Sequence, residues 1–407
     1  MANIAIVFPA YAGGGAENVA ITVGDMLMSR YGHKIHIWAS RMAPGFEDSL
    51  SAKGYQVENF ARSSKARIHE PRTSRHIADL VHSHDIDVLI ISVNAVGCAH
   101  ELRRSISPRC KIVFHLHGTP MWELQDALTK RTVAAGKPLK KLAANFKYAS
   151  ATIRENLLHS YSKRFERRYR DMFDVSDSYW LLCRGYADRL AGLLGEESDN
   201  PKIKVMPNPV DTGRFMPLAN CEKKKEVLFV GRLTYADKRV DRLLRIWAEV
   251  SKHNPDWSLH IVGDGKDRPN LEKLAGELAL KNITFHGYRD PAPHYESASV
   301  LCMTSTFEGW PQVLVEAMSS GVVPIAFGCT DGVREILGDG RGVLVEGFDE
   351  KAYAAELHRL LQDRQGLEQR RALYPAYAAQ FDCGTIAELW HESISLLMGP
   401  HSARNDC

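Results

Sequence analysis

The most informative stretch of the chain reads Ser305-Thr-Phe-Glu308-Gly309-Trp310-Pro311-Gln312-Val313-Leu-Val-Glu316-Ala-Met-Ser-Ser-Gly321. It follows an apolar run, residues 300–303, that is typical of a buried strand, and its own apolar spacing predicts an amphipathic helix. Pro311 suits the first helical position, where the missing N–H of proline is no loss. Glu308 then lies in the loop before the helix, and Glu316 faces inward from the helix.

The start of this predicted helix is suited to an anionic ligand. Backbone N–H groups from Trp310 to Val313 would point at the ligand, and the helix dipole favours negative charge there. A carboxylate on each side could hold sugar hydroxyls. A plainer interpretation stays open, in which Glu308 caps the helix and Glu316 forms a surface ion pair.

Short apolar runs alternate with amphipathic stretches on both sides of this segment. The predicted strands are residues 4–8, 34–38, 88–93, 111–115 and 179–182, then 227–230, 259–262, 283–285, 300–303 and 323–327. This alternation predicts two doubly wound α/β sheets. Two prolines in Met206-Pro-Asn-Pro-Val-Asp211 end regular structure between the series. The predicted domains are residues 1–207 and 208–384, followed by a C-terminal helix and tail, 385–407, that could pack back on the N-terminal domain.

The bulk composition agrees with a two-domain globular protein. A chain of 407 residues exceeds what one hydrophobic core usually holds. Lys and Arg outnumber Asp and Glu by 52 to 49, a margin too small to predict a nucleic-acid-binding protein. The eight cysteines form no Cys-x-x-Cys pair, which predicts reduced thiols in place of disulfides or a zinc site. No apolar run suits a signal peptide or membrane span, so we expect a cytoplasmic protein.

The segment at 305–321 resembles the Glu-x7-Glu motif of the retaining GT-B glycosyltransferases, family 4 (group 1), of the bacterial polysaccharide and lipopolysaccharide type. The surrounding Phe-Glu-Gly-x-Pro and Glu-Ala-Met-x-x-Gly also fit. The resemblance implies two Rossmann-like domains facing across a cleft. It implies that Glu308 contacts the donor sugar and that Glu316 binds the ribose. The residues between them that would contact the donor are Gly309, Trp310, Pro311, Gln312 and Val313.

A second block reads Val227-Leu-Phe-Val-Gly231-Arg232-Leu-Thr-Tyr-Ala-Asp-Lys238. Breaking a sugar–diphosphate bond leaves negative charge on the nucleotide. Arg232 offers a planar fork for phosphate oxygens, and Lys238 offers a point charge; two solvated loop cations are the alternative. In the family the corresponding residues bind the diphosphate without a metal ion, which implies no metal and no cofactor beyond the nucleotide-sugar co-substrate. The family usually has glycine after the lysine, so Arg239 predicts a different loop conformation.

Glycine turns at other strand ends extend the resemblance. Gly263, in Leu259-His-Ile-Val-Gly263-Asp-Gly265, matches the segment that approaches the nucleotide, and Tyr288 matches the segment that frames the base. Near the N-terminus, Ala12-Gly-Gly-Gly15-Ala-Glu17 is similar to the family's loop over the donor phosphates, with Gly14 and Gly15 carrying over most directly. It is not Gly-x-Gly-x-x-Gly, which disfavours a nicotinamide-binding protein.

A strand that ends in two histidines supplies the last candidate. In Lys111-Ile-Val-Phe-His115-Leu-His117-Gly118, His117 matches the position at which family members place a histidine near the donor sugar. His115 is expected to face the core. A structural role for both histidines is the alternative.

One basic segment bears on the acceptor and on location. Residues 137–170 carry ten Lys and Arg against two Glu, with apolar residues interleaved. Such a stretch can lie on an anionic bilayer or bind a polyanion, although most charged helical faces are merely solvated. We expect it to face a lipid-linked or phosphorylated acceptor, at the inner face of the cytoplasmic membrane.

The sequence therefore predicts transfer of a sugar from a UDP- or GDP-sugar to a hydroxyl of a glycan or lipid-linked acceptor. Retention at the anomeric carbon is implied by the family resemblance alone. Two alternatives stay open. A nucleotide-sugar epimerase or a sugar phosphorylase can share this architecture, and a non-catalytic nucleotide-sugar-binding subunit could keep the same motifs.

Overall fold

The computed structural model describes residues 1–11, 14–60, 71–92, 98–123, 160–216 and 222–399. The chain forms two compact units. The first unit is Met1–Pro209 together with the chain from Ile386 onward, and the second unit is Val210–Thr385.

The first unit is built on a parallel sheet. Its strands are β1 (Asn3–Phe8), β2 (Lys34–Ala39), β3 (Gln56–Asn59), β4 (Val88–Ile91), β5 (Lys111–Leu116), β6 (Ser178–Leu181) and β7 (Ile203–Val205). Its helices are α1 (Gly15–Tyr31), α2 (Phe46–Ala52), α3 (Pro71–Ser83), α4 (Ala99–Ser105), α5 (Ser160–Val175) and α6 (Arg184–Leu194). Among the described residues, the strand order is β3-β2-β1-β4-β5-β6-β7, and every pairing is parallel.

The second unit repeats this plan. Its strands are β8 (Glu226–Val230), β9 (Ser258–Val262), β10 (Ile283–Gly287), β11 (Val300–Met303), β12 (Val323–Phe327) and β13 (Val343–Val345). Its helices are α7 (Val240–His253), α8 (Arg268–Glu277), α9 (Ala292–Ser297), α10 (Gln312–Ser319), α11 (Asp331–Leu337), α12 (Glu350–Gln362), α13 (Arg364–Arg371) and α14 (Tyr374–Ala378), then a 3-10 turn (Ala379–Phe381). The last helix, α15 (Cys383–Met398), begins in the second unit and belongs to the first unit from Ile386 onward. The strand order is β10-β9-β8-β11-β12-β13.

Both sheets have the order of the doubly wound Rossmann fold, in which the chain reverses direction beside the first strand of the sheet. The prediction of two Rossmann-like α/β domains is therefore confirmed. In such sheets ligands bind beyond the carboxyl ends of the strands at this switch point. The switch point lies between β1 and β4 in the first unit and between β8 and β11 in the second.

The core of the first unit explains why its strands read as continuous apolar runs. Helices cover both faces of a parallel sheet, so the side chains on both faces of a strand are buried. Ile4 and Ile6 of β1 pack with Val113 of β5 in one cluster. Trp390 of α15 joins that cluster, and its ring centroid lies 4.8 Å from that of Trp180. The C-terminal helix thus packs on the first unit from Ile386 onward.

The described helices include none with the length and apolar character that crossing a bilayer requires. The cysteines that the structure describes are free thiols, and Cys110, Cys183, Cys302 and Cys383 are buried. Burial raises the pKa of the Cys110 thiol to about 12, so it remains protonated and unreactive.

Candidate functional site

The switch point of the second unit carries the two sequence blocks that contain most of the candidate residues. Strand β8 ends at Val230 and leads into Gly231, while β11 ends at Met303 and leads into the loop that holds Glu308. Because β8 and β11 are neighbours in the sheet, both loops leave from adjacent positions on the same edge. The sheet therefore brings together two segments about 70 residues apart.

An ion pair joins the two loops. Lys238 Nζ lies 2.6 Å from Glu308 Oε1, and the hydroxyl of Ser305 donates to the same oxygen at 2.6 Å. The side chains of Lys238 and Glu308 are only 19% and 10% exposed. Desolvation makes each charge costly without its partner, so the pair holds both groups in place. The stem of Lys238 also lies beside Gly231, with Cε 3.8 Å from where a β-carbon would stand.

The start of α10 differs slightly from its prediction. The helix begins at Gln312, one residue later than predicted, so Pro311 is its N-cap residue and not its first helical residue. The interpretation of Glu308 as a helix cap stays a prediction, and its carboxylate forms an ion pair with Lys238.

Arg239 adopts a backbone conformation that glycine favours. Its backbone has φ 50° and ψ 46°, the left-handed conformation that glycine adopts most easily. The guanidinium binds the buried Asp241 through two contacts, of 3.0 Å from Nε and 2.9 Å from Nη2. This bidentate pair offsets the strain of a side chain in the left-handed region. The loop thus keeps a conformation suited to glycine although the residue is arginine.

Glu316 occupies a half-buried position on α10, and the interpretation as a surface ion pair is wrong. The hydroxyl of Tyr295 donates to Glu316 Oε2 at 3.0 Å. Burial raises the pKa of Glu316 to about 7, while the hydrogen bond from Tyr295 and the charge of Arg214 act in the opposite direction. Near neutral pH this carboxyl group is therefore divided between its neutral and charged forms.

The backbones of Gly231 and Gly263 lie in close contact at the ends of β8 and β9. Both have positive φ, 152° and 138°. A β-carbon on Gly263 would stand 1.9 Å from the carbonyl oxygen of Gly231. Only glycine fits at Gly263, because the backbone of the neighbouring strand occupies the space of a side chain. The structure thus gives a packing reason for this glycine, and its approach to a nucleotide stays a prediction.

The remaining candidates of the second unit are more dispersed. Arg232 is exposed, with Nη2 3.3 Å from Asp237 Oδ2. Tyr288 is 89% exposed and follows β10, two strands from β8 and so about 10 Å across the sheet. Trp310 is buried, with its ring 4.9 Å from that of Phe381, so its indole packs in the core. The structure therefore brings together Gly231, Lys238 and Glu308, while Arg232 follows Gly231 with its side chain exposed. It places Gly309 in the loop that follows Glu308, and Gln312 and Val313 in the first turn of α10.

A cavity of about 1040 Å³ in the second unit lies elsewhere. It is lined by residues such as Lys225 and Ser299, which directly precede β8 and β11. These positions are at the amino ends of the strands, opposite the edge where α/β sheets bind ligands. None of the predicted site residues lines it.

The first unit offers candidates of a different kind. Gly14 is the N-cap of α1, and its N–H donates to the carboxylate of Glu17, while Gly15 opens the helix. His117 follows β5 and is half-buried, with its ring 4.0 Å from that of the buried His115. Burial lowers the pKa of His117 to about 4, although a hydrogen bond with Asn208 raises it. His117 is therefore neutral near pH 7, and His115 faces the core as predicted.

Three contacting residues were missed from the sequence. Ser305 precedes Glu308 by three positions, a spacing at which a hydroxyl and a carboxylate often meet, and this signal could have been used. Tyr295 and Asn208 come from distant segments, and only the fold brings them to Glu316 and His117.

Two family models match adjacent parts of the chain. The model described as Glycosyltransferase Family 4 matches residues 13–214, and the model described as Glycosyl transferases group 1 matches residues 215–379. Together they cover residues 13–379, which include every candidate residue named above. The chain therefore carries a Glycosyltransferase Family 4 domain followed by a Glycosyl transferases group 1 domain.

Two relatives of this chain have names from bacterial surface-polysaccharide synthesis. The amylovoran biosynthesis glycosyltransferase AmsD of Erwinia amylovora is 37% identical over 145 residues, covering 35% of this chain and 40% of that protein. The lipopolysaccharide 1,6-galactosyltransferase of Salmonella typhimurium is 30% identical over 182 residues, covering 43% and 49%. The chain thus spans less than half the length of these curated relatives.

Solved structures share the fold of this chain over nearly its whole length. The Anabaena protein Alr3699/HepE, in complex with UDP and glucose, superimposes with a TM-score of 0.69 at 17% identity, covering 97% of this chain and 100% of that one. At this identity the likeness shows the GT-B fold alone.

Proposed function

We propose that this glycosyltransferase moves a sugar from a UDP- or GDP-sugar to a hydroxyl of a glycan or lipid-linked acceptor, in lipopolysaccharide or polysaccharide synthesis. The observation that carries the proposal is the Lys238–Glu308 pair at the switch point of the second unit. A cation and a carboxylate held side by side match the two halves of the donor, a diphosphate and a hydroxyl-bearing sugar. The relatives' names support the pathway, and the UDP complex of the Anabaena protein supports a uridine donor.

The proposed mechanism assigns one role to each group. When the donor binds, Lys238 binds the diphosphate, and a hydroxyl of the sugar donates a hydrogen bond to Glu308. The exposed Arg232 closes on the phosphate oxygens, so that two cations stabilise the charge that grows on the leaving nucleotide. Glu316 accepts from the ribose, and neutral His117 hydrogen-bonds the sugar. We propose retention of the anomeric configuration and no metal ion in the reaction, on the family resemblance.

A thermal-shift panel tests the donor assignment. The full chain is heated with UDP, GDP and their sugars, and the bound ligand should raise the melting temperature, since about 2.7 kcal/mol of stabilisation is expected at a hundred times Kd. We expect one base to be preferred and its sugar form to add to the shift. Glu308→Gln should keep the shift with the nucleotide and lose the increment from the sugar.

The matched control is Glu277→Gln, which removes an exposed carboxylate at the end of α8. It should behave as the unchanged protein does. If no nucleotide raises the melting temperature, the donor assignment is wrong. Turnover of the donor without any acceptor would favour an epimerase, and donor binding without turnover on any acceptor would favour the non-catalytic subunit.

We also propose that α5 contacts an anionic membrane. Most of the basic segment 137–170 lies outside the described residues, but its last part forms α5, where Lys163, Arg164 and Arg167 are exposed. Arg168 is half-buried, and burial together with Arg164 lowers its pKa. Arg164→Glu/Arg167→Glu should weaken binding to anionic vesicles, whereas Lys252→Glu/Lys281→Glu, with the same change in charge on exposed sites, should not. Equal loss in both would show that net charge alone matters.

A further inference from the structure

Three histidines converge on one face of the second sheet, near its edge. His260 lies on β9, His286 on the edge strand β10, and His294 on α9, which follows β10. One ring nitrogen of each lies within 4.8 Å of those of the other two. All three side chains are half-buried. No other group of His, Cys, Asp and Glu in the described part of the chain has this geometry.

The strand register explains the convergence. His260 is paired with Thr284, two residues before His286 in the chain. The register shifts between Phe285 and Gly287, at His286 itself. His260 Nδ1 and His286 Nε2 are 2.9 Å apart, and the rings of His286 and His294 have centroids 4.3 Å apart.

The three rings lie close together. The rings of His260 and His286 are stacked at an interplanar angle of 11°, and the ring of His294 is tilted against both. Burial is the largest cause that lowers the pKa values of His286 and His294, and the neighbouring histidines lower them further.

Outer contacts resemble those of metal-binding histidines. Ser258 Oγ lies 3.0 Å from His260 Nε2. A proton on Nε2 directed at Ser258 leaves the Nδ1 lone pair facing the cluster, and such second contacts commonly orient metal ligands. The charge of Glu226 raises the pKa values of His286 and His294, so it favours positive charge at this place. Ser297, on the same helix as His294, donates to Glu226 at 2.6 Å.

We propose that His260, His286 and His294 form a binding site for a divalent cation of the zinc class, with water at the fourth position. Nitrogens bound to tetrahedral zinc are about 3.3 Å apart, so the rings need to move by about 1 Å from their present spacing. Imidazole ligands suit zinc better than magnesium or calcium. The ion would fasten the edge strand β10 to β9 and α9, directly before Gly287 and Tyr288. None of the three histidines is among the residues proposed for donor binding.

The first test measures binding of the metal alone. The full chain, free of any polyhistidine tag, is stripped with a chelator and titrated with zinc chloride by calorimetry. We expect one equivalent to bind. His294→Gln should lower the affinity by more than about a hundredfold, since losing an outer partner alone costs about 10–100-fold. His253→Gln, an exposed histidine at the end of α7, is the matched control and should bind as the unchanged protein does.

A second measurement needs no variant. X-ray absorption of the zinc-loaded protein should show three imidazole ligands at about 2.0–2.1 Å. Absence of stoichiometric binding, equal affinity in His294→Gln, or a first shell dominated by sulfur or carboxylate would each overturn the proposal. Nucleotide-sugar binding is measured separately, so a failed zinc titration says nothing against the transferase.

Discussion

The two units share a strand order but present different chemistry at the carboxyl ends of their strands. In the second unit these ends carry charged side chains that hold one another, Lys238 with Glu308 and Arg239 with Asp241. In the first unit the comparable end of β5 carries His117, which burial keeps neutral. The same scaffold thus presents charged side chains at this edge in one unit and a neutral imidazole in the other. The loops that follow the strands, and not the shared fold, determine this difference in chemistry.

The comparison predicts its largest effect at the ion pair. Lys238→Met and Glu308→Gln should each lower the transfer rate by about 10²–10³, the usual loss when one group that stabilises developing charge is removed. Each single variant leaves one half of a mostly buried pair, which typically costs about 3 kcal/mol of unfolding free energy. The double variant should recover most of the stability, measured by urea unfolding, and none of the rate.

The control for this cycle is an exposed pair in the same unit. Lys252 Nζ lies 2.7 Å from Glu249 Oε2, with both side chains about 60% exposed. Lys252→Met/Glu249→Gln should leave both the midpoint of urea unfolding and the transfer rate unchanged, because exposed ion pairs contribute little. Recovery of activity in the Lys238→Met/Glu308→Gln protein would show that the pair is structural only.

The next effect concerns Gly231 and Gly263, which lie against each other at the ends of β8 and β9 in the second unit. Gly263→Ala should lower the unfolding free energy by at least about 3 kcal/mol, because positive φ and overlap with the Gly231 carbonyl both oppose a side chain. Gly276→Ala, in α8 where a β-carbon meets nothing within 4 Å, should raise stability by about 0.5–1 kcal/mol. Chemical denaturation measures the unfolding free energy of both variants. An unchanged value for Gly263→Ala would contradict the close contact between Gly263 and Gly231.

The smallest effect separates the units by pH. The pKa of Glu316 is about 7 in the folded protein against 4.5 unperturbed. The folded second unit therefore binds more protons than the unfolded chain between these values, and its stability falls as pH rises from 4.5 to 7. Glu316→Gln should remove this slope and be more stable above pH 7 by about 2–3 kcal/mol.

The first unit should respond with the opposite sign. The pKa of His117 is about 4 when folded against 6.5 unperturbed, so the unfolded chain binds more protons and stability rises with pH between 4 and 6.5. His117→Gln should flatten that rise. Stability of both units can be followed by hydrogen exchange of their core amides. Parallel slopes in the two units would remove the contrast.

Most of the fold could be predicted from the sequence because the central strands of parallel sheets are buried on both faces. The strands that were missed, β3, β7 and β13, are all edge strands of three or four residues. An edge strand is partly solvated, so sequences such as Gln56-Val-Glu-Asn59 lack the apolar run that marks a central strand. The fourth edge, β10, was predicted at three of its five residues.

The site was predictable where neighbouring residues in the sequence define it. Gly231, Arg232, Lys238 and Glu308 follow strand ends directly, and the strand order places them together. The pairings were not predictable, since Glu316 meets Tyr295 only through the packing of α9 against α10. The histidine cluster is the extreme case, because its members come from three elements with no regular spacing.

Arg239 shows that the backbone angles at a motif position matter more than the identity of the residue there. A tether to Asp241 lets a bulky residue adopt the angles that a glycine would reach unaided. Search patterns that insist on glycine after the lysine would pass over such chains. Because this turn depends on a salt bridge, its rigidity should also vary with ionic strength in a way that a glycine turn would not.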